Sequence, residues 1–334
     1  MLRLAVVVAI LAATALALSE PERAFADFKT KFQRSYKTKE EEAFRFRIFR
    51  QQLQDIAKMN EQRPNSYSVT QFADWTDAEF RNIVNSKPVN MTATGGNALS
   101  AAGLGNTVAR SAENKLTGGI PLSYTSAYKT AVKNQGTCGS CWSFTLSAIA
   151  EAAWGRIQRR TGSGIADMSA QQAVSCWARS CNGQVLNNCA SWFVGRKMWG
   201  LAVWPYTSSS GSVGTCYSAP TTGAWFQAGA VQYTSRTWAA MTDRIYYKEA
   251  VSVWMYICAD FRYWTSSNIY SCTGGANLGG HFVTAVGYGT LSRRNYFLIK
   301  NSWGTSWGNS GYAKFAPGTC GSFTTSSTGI YWQF

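Results

Sequence analysis

Histidine is almost absent from this sequence of 334 residues, in which His281 is the only one. Zinc sites in proteins are usually built from several cysteine and histidine ligands. Cys138 and Cys141 have Cys-x-x-Cys spacing, but neither a second pair of this kind nor a neighbouring histidine accompanies them. A metal or redox pair is therefore disfavoured here, and no metal or other cofactor is expected.

Long apolar runs are also lacking beyond the first 18 residues, so no transmembrane helix is expected. Residues 1–18 combine a short basic start, the small or apolar run Leu4–Leu16 and the Ala-x-Ala-like site Ala15–Ala17. This pattern is typical of a cleaved signal peptide. The sequence therefore predicts a product of the secretory route.

Acidic residues are few, with 17 Asp and Glu against 32 Lys and Arg and a formal net charge of +15. Residues 119–334 hold 16 basic and 5 acidic residues, a balance of +11. Such a surface would attract anionic surfaces, polyanionic glycans or acidic substrates, although a merely soluble basic surface is an equal alternative. Nucleic-acid binding as the main function is disfavoured, because no reader motif is present and the route is secretory.

The most informative stretch is Gln135–Trp142, which is followed by the apolar run Phe144–Trp154. The sequence predicts a helix that begins near Cys141. The signals are a glycine-containing loop that leads into this run, a basic last turn and Gly162 as a stop signal. The positive end of the helix dipole favours a thiolate over a thiol. Cys141 is therefore a candidate nucleophile on a largely buried helix.

A candidate base and its partner lie in the C-terminal half of the chain. The strand-like runs Phe282–Tyr288 and Tyr296–Lys300 flank residues 289–294, which predict a hairpin turn. The antiparallel register expected from this turn places His281 opposite Asn301. An amide oxygen that accepts from one ring N–H would fix the tautomer and aim the other nitrogen at the sulfur.

Two short motifs are typical of one family. Cys138-Gly139-Ser140-Cys141-Trp142 matches the signature of papain- and cathepsin-type proteases, and Asn301-Ser302-Trp303-Gly304 is similar to the family's Asn-Ser-Trp-Gly. His281 follows Cys141 by 140 residues, which is the spacing expected of the family. On these residues the chain resembles the papain-family cysteine proteases.

The resemblance implies an α+β, papain-like two-lobe fold for residues 120–334. A mainly helical lobe, about 120–225, would carry the nucleophile on its central helix. An antiparallel, β-barrel-like lobe, about 226–334, would carry the imidazole. The implied protein is a monomeric cysteine endopeptidase that hydrolyses peptide bonds through a thiolate–imidazolium pair and an acyl-enzyme.

Residues 19–87 resemble the helical inhibitory prosegment of cathepsin L-like enzymes, in particular those of trypanosomes. Between Glu41 and Asn60, residues spaced by three or four form one helical stripe, and Ser68–Asp74 is similar to the second prosegment motif. Residues 88–119 are rich in Ala, Gly, Asn, Ser and Thr and predict an exposed linker where processing occurs. The resemblance implies a zymogen inhibited by its own prosegment, a lysosomal or secreted location, and cystatin-like inhibitors as partners.

The resemblance also implies roles for individual residues. Gln135 would form an oxyanion hole with the backbone N–H of Cys141, and Trp303 would shield the His281–Asn301 contact from water. The substrate cleft would be lined by Gly183, Gln184, Val185, Leu186, Trp254, Gly280, Phe282, Trp303 and Thr325. Gln184 and Gly280 depart from the family pattern, which leaves open a second interpretation, a catalytically weak binding protein on the same fold with a basic surface.

Nine cysteines in a secreted chain predict disulfides, and the odd number leaves at least one thiol outside them. The resemblance implies the pairs Cys138–Cys181, Cys176–Cys216 and Cys272–Cys320. Cys189 and Cys258 would then be buried, inert thiols.

Overall fold

The computed structural model describes residues 19–85, 119–235, 237–272, 276–322 and 329–333. The predicted signal peptide at 1–18, nearly all of the linker at 88–119, and Thr325 lie outside these ranges. The corresponding expectations stay predictions.

The N-terminal part of the described chain forms three helices, α1 Glu20–Lys31, α2 Lys39–Gln62 and α3 Asp77–Ile83. The hydroxyls of Thr38 and Thr76 accept from the third backbone N–H of α2 and α3, which satisfies donors that have no partner within the helix. The predicted stripe of α2 faces inward, because Phe49 and Ile56 on it are buried.

Helix α4, Cys141–Gln158, is the predicted central helix. It ends where Arg159 adopts a left-handed conformation with φ 53°, three residues before the expected stop at Gly162. Of its 18 residues 13 are buried, so the helix is enclosed on nearly all sides, as its apolar sequence indicates.

The remaining elements are shorter. The stretch predicted to be helical near 167–178 forms α5, Ala170–Gln172, and a π-helical turn at Ala173–Ala178. The other helices are α6 Leu186–Phe193 and α7 Trp238–Lys248. The strands are β1 Tyr124–Thr125, β2 Met198–Trp199, β3 Trp225–Phe226, β4 Ala230–Thr234, β5 Val251–Cys258, β6 Ile269–Tyr270, β7 Asn277–Leu291, β8 Arg294–Lys300, β9 Tyr312–Phe315 and β10 Gly329–Gln333.

The main sheet has the order β1-β7-β8-β9-β6, with β5 also paired to β7. All of its pairs are antiparallel except β6 with β9. Two apolar cores result. One joins this sheet to the N-terminal helices, and the other surrounds α4 and reaches the sheet through Trp254 and Phe282. The expected α+β, two-lobe fold is confirmed.

The hairpin between β7 and β8 differs from the prediction. Its turn is only Ser292-Arg293, two residues with φ 48° and 61°, and the ladder pairs Thr284 with Lys300. This register is shifted by two residues from one that would pair His281 with Asn301. A two-residue turn with positive φ at both positions matches the twist of the strands, and it lets β7 continue to Leu291.

The cysteine pairing is partly as expected. Cys138–Cys181 and Cys176–Cys216 are bridged, and Cys189 is a buried thiol. The predicted Cys272–Cys320 bridge is wrong, as is the prediction that Cys258 is a thiol, because Cys258 is bonded to Cys272. Cys258 is the last residue of β5 and Cys272 follows β6, and their Cα atoms lie 6.4 Å apart although the two strands are not paired.

Candidate active site

The thiol of Cys141 lies at the first residue of α4 and is completely buried. The backbone N–H of Phe282 in β7 donates to its Sγ at 3.5 Å. Because Phe282 follows His281 in the chain, this contact across the two lobes places the sulfur beside the imidazole residue.

The orientation of the His281 ring follows from one hydrogen bond, between its Nε2 and Oδ1 of Asn301 at 2.8 Å. An amide oxygen can only accept, so Nε2 carries the proton. The Ser302 backbone N–H also donates to this oxygen, at 2.8 Å, which fixes which end of the amide faces the ring. Nδ1 is buried without a hydrogen-bond partner within the described part of the chain. The two side chains therefore meet diagonally, although they are not ladder partners.

The imidazole is enclosed in an aromatic environment. The Trp303 ring lies 4.6 Å from the His281 ring, and Phe72 and Phe80 of the N-terminal segment pack against Trp303 at 5.2 and 5.4 Å. Burial lowers the pKa of His281 to about 4, and the hydrogen bond with Asn301 opposes this only in part. The ring is consequently neutral while the segment covers it.

Gln135 is completely buried, and each end of its amide has a partner. Its Nε2 donates to the carbonyls of Cys138 at 2.8 Å and Ile83 at 3.2 Å. Its Oε1 accepts from the hydroxyl of Ser302 at 2.7 Å. The amide donor of Gln135 therefore points at the Ile83 carbonyl of the N-terminal segment. This carbonyl occupies the place that a hydrogen-bond acceptor of another molecule would take.

Residues 83–85 run through the predicted cleft. A Cβ at Gly279 would lie 1.9 Å from the Val84 carbonyl oxygen, and a Cβ at Gly183 would lie 2.4 Å from the backbone of Asn85, so both positions require glycine. Asn85 also forms a parallel bridge with Gly280. The chain's own backbone thus covers the predicted substrate positions Gly183 and Gly280.

The predicted side-chain pocket is only partly assembled from described residues. Leu186, Trp254 and Phe282 belong to one core and are 0 to 4% exposed, and the last two are cross-strand partners. Val185 and Gln184 are half-buried beside them. The residue expected at the base of this pocket, Thr325, lies outside the described ranges.

A buried charged cluster that was not predicted from the sequence lies behind the site. Glu151 of α4 accepts from Lys133 at 2.6 Å, and Lys300 lies 3.7 Å away on its other side. Burial lowers the pKa of Lys300 to about 8 despite the nearby carboxylate. The signals were a lone glutamate in an apolar helix and a lysine that ends an apolar strand just before Asn301. A small cavity is lined by this cluster together with Asn301 and Ser302.

The Tyr206 hydroxyl is a further support that the sequence did not indicate. It donates to the backbone carbonyl of Gln135 at 2.9 Å and lies 2.9 Å from the Ser140 hydroxyl. It therefore joins the loop that carries the amide donor to the residue before Cys141.

These features define a thiol-dependent hydrolase in its precursor form. Cys141 lies beside an imidazole that is oriented by an amide, the Gln135 amide donor lies close by, and an N-terminal segment covers the site. A sequence model described as papain family cysteine protease matches residues 123–330, and one described as cathepsin propeptide inhibitor domain (I29) matches residues 25–80. The chain belongs to the papain family of cysteine proteases and carries a propeptide of this kind, so the resemblance drawn from its motifs is confirmed.

The names of individual relatives are consistent with this family assignment. A cysteine proteinase of Trypanosoma brucei brucei is 30% identical over 319 residues, which cover 89% of this chain and 64% of the relative. Pro-cathepsin H of Medicago truncatula is 31% identical over 91% of this chain and 84% of its own length. The structure of digestive procathepsin L2 from Tenebrio molitor larval midgut superposes with a TM-score of 0.75 at 26% identity and covers 94% of this chain and 100% of that one.

None of the helices described here is both long and apolar enough to cross a membrane.

Proposed function

We propose that this zymogen becomes an endopeptidase in which Cys141 is the nucleophile and His281 is the base. The observation that supports this proposal best is the orientation of the imidazole: Asn301 holds Nε2, and the Cys141 sulfur lies at the backbone N–H of the next residue. The thiol proton passes to Nδ1, and the thiolate adds to the peptide carbonyl. The imidazolium then protonates the leaving amine, and water hydrolyses the acyl-enzyme.

Gln135 would stabilise the negative oxygen that forms in this addition, together with the backbone N–H of Cys141. Its Nε2 already donates to a backbone carbonyl of the covering segment, which supports this role. Ser302 positions the amide through Oε1, and Trp303 shields the contact between His281 and Asn301. A donor held in place before the reaction stabilises the transition state without reorganisation.

Activation would remove residues 19–87 by cleavage within 88–119, so that the mature chain begins near residue 120. The predicted signal peptide and the relation to proteins named as cathepsins support a lysosomal or secreted location. Cystatin-like inhibitors would bind the opened cleft, and the mature domain would act as a monomer. Its basic balance supports binding to anionic glycans or surfaces.

The substrate pocket formed by Val185, Leu186, Trp254, Phe282 and Thr325 would be shallow and apolar. Large rings at two of these positions favour modest aliphatic side chains, and neutral Thr325 gives no partner for arginine. Matched peptides with Leu, Phe or Arg at the residue that this pocket binds should be cleaved with the highest kcat/KM for Leu. A preference for Arg over Leu would contradict the proposed pocket.

The catalytic assignment is tested by labelling with a mechanism-based epoxide after acid activation. We expect one label per molecule, on Cys141, and none in the Cys141→Ala variant. A protein that loses its prosegment and remains unlabelled would instead be a binding protein on the same fold.

A further inference from the structure

Three cysteines converge at one edge of the β lobe. Cys258 ends β5, Cys272 follows β6, and Cys320 lies in the short turn Thr319–Gly321. All three Sγ atoms lie within 4.8 Å of one another. Cys258 and Cys272 form the bridge, and the Cys320 sulfur lies 3.2 Å from that of Cys258.

A third sulfur this close to a disulfide can attack it. Thiol–disulfide exchange needs a thiolate that reaches one bridged sulfur while the other leaves. Here no large movement of the chain is needed, because the three sulfurs already share one site. We propose that Cys258, Cys272 and Cys320 form an intramolecular disulfide-exchange site, in which one bridge moves among three cysteines.

Each exchange step is balanced and consumes no oxidant. The Cys320 thiol first loses its proton, and its thiolate then attacks Sγ of Cys258. The new Cys258–Cys320 bond forms as the Cys258–Cys272 bond breaks, and Cys272 leaves as a thiolate that takes up a proton. Attack on Cys272 instead forms Cys272–Cys320 and releases Cys258. One disulfide and one thiol are present before and after either step.

The position of the bridge determines which segments are tied together. Cys258–Cys272 spans 14 residues and joins the ends of β5 and β6. Either bridge to Cys320 would instead tie the connection between β9 and β10 to this edge. Gly321 already packs at this edge, since a Cβ there would lie 3.0 Å from the Tyr256 ring. The exchange therefore changes the restraint on the turn Thr319–Gly321.

The prosegment reaches the same site. Arg63 donates to the carbonyl of Ser271, next to Cys272, at 2.7 Å. The Tyr67 hydroxyl donates to Asp260 at 2.8 Å, and the other oxygen of this carboxylate accepts from Tyr270. Removal of the prosegment takes away both contacts, so the surroundings of the three cysteines loosen on activation.

The groups that face Cys320 set the rate of exchange. Its thiol lies 3.9 Å from the Tyr270 hydroxyl, with Asp260 and Thr319 close by. Burial raises the pKa of Cys320 to about 12, and the Asp260 carboxylate adds to this effect, although the Tyr270 and Thr319 hydroxyls oppose it. Exchange proceeds through the thiolate, so it should be slow in acid and accelerate as the pH rises.

The test uses the full chain with Cys141→Ala, which removes the other reactive thiol and prevents self-cleavage. Folded protein is alkylated at pH 8 with a maleimide, once rapidly at high reagent concentration and once slowly at low concentration. Non-reducing digestion and mass spectrometry then locate the label. Rapid alkylation labels each molecule before the bridge moves, so the label reports which cysteine carries the thiol at rest. Slow alkylation leaves time for exchange, so the label accumulates on the cysteine whose thiol is most accessible to the reagent.

We expect the label to divide between at least two of the three cysteines, in a ratio that differs between rapid and slow trapping and does not depend on protein concentration. Label on the same single cysteine in both experiments, or a division that is the same in both, would overturn the proposal. A ratio that changes with protein concentration would also overturn it, because it indicates exchange between molecules. The controls are Cys258→Ser and Cys320→Ser, each of which leaves one bridge and no third thiol, so the remaining pair should stay unlabelled.

Discussion

At the scale of single residues, burial controls the charge of the histidine. His281 is completely buried beneath Trp303, and its neutral form is favoured. A thiolate–imidazolium pair forms only when the ring takes up the thiol proton, so burial in the covered enzyme disfavours that ion pair. Protonation opposes closure, because only the neutral ring is favoured when covered. Acidification from pH 6.5 toward 4 should therefore weaken the docking of the segment.

This difference in pKa can be measured directly, since the only histidine in the chain gives one set of ring resonances in NMR spectra. In the uncleaved chain with Cys141→Ala, we expect His281 to titrate near pH 4. After an added protease removes the prosegment, the ring meets water and its pKa should rise toward the usual 6.5. A midpoint near 6.5 in the uncleaved protein would contradict the effect of burial.

Gln135 provides a second test at this scale. In Gln135→Ala the amide donor is lost, and we expect kcat of the activated enzyme to fall about 100-fold with little change in KM. Steady-state kinetics with a peptide substrate measure both constants. Gln184→Ala, in the half-buried cleft wall, is the control and should change kcat much less. Equal losses in the two variants would argue against an oxyanion hole at Gln135.

At the scale of elements, the buried charges join α4 to β8 and to the loop that carries Gln135. Glu151 accepts from Lys133, and Lys300 is the last residue of β8, directly before Asn301. Both lysines and the glutamate are largely enclosed, where an unpaired charge is costly. The cluster therefore couples the helix of the nucleophile to the strand that leads to the asparagine.

Removal of the carboxylate should expose this coupling. Glu151→Ala leaves the buried Lys300 without the carboxylate beside it, whereas Lys133 keeps Asp167 at 2.7 Å, and we expect the free energy of unfolding to fall by about 3–5 kcal/mol. Denaturant unfolding of the full chain with Cys141→Ala measures the change without self-cleavage. Glu61→Ala, at an exposed position of α2, should cost no more than about 0.5 kcal/mol. A similar small loss for Glu151→Ala would show that the cluster is not stabilising.

At the scale of the whole molecule, the prosegment and the peptidase domain share one apolar core. Phe72 and Phe80 meet the Trp303 ring edge to face, and Arg262 of the peptidase domain pairs with Asp77 at 2.8 Å. Burial of aromatic rings supplies most of the free energy of such a contact, whereas an ion pair with a half-exposed partner adds little. Inhibition should consequently depend on the two phenylalanines more than on the charge.

Phe80→Ala tests this expectation. Loss of a buried ring costs about 3–5 kcal/mol. If this free energy is lost from the docking of the prosegment, the equilibrium between the docked and the undocked prosegment should shift toward the undocked state by at least about 100-fold. The measurement is the rate at which an epoxide labels Cys141 in the uncleaved protein at neutral pH, which should rise accordingly. Phe44→Ala is the matched control, because that ring is 42% exposed. Equal rates for the two variants would mean that docking does not depend on Phe80.

Local patterns determined much of this protein in advance. The loop that leads into an apolar run placed Cys141 at the start of a helix. The strand-like runs near His281 and Asn301 formed a hairpin as expected, although with a shorter turn and a shifted register. The motifs around Cys141 and Asn301 indicated the family. The helix and the strands depend on residues that are close in sequence, so local patterns specify them, whereas the motifs indicate the family by resemblance.

Tertiary packing decided the rest. Cys258 and Cys272 became partners because the segments that carry them converge in space. The diagonal contact of His281 with Asn301 came from a two-residue turn together with the register irregularity between Ala285 and Gly287. The carbonyl of Ile83 reached Gln135 across 52 residues, and enclosure by distant aromatic rings set the charge of the imidazole. Burial, register and sulfur proximity depend on segments far apart in the chain, and no local pattern contains that information.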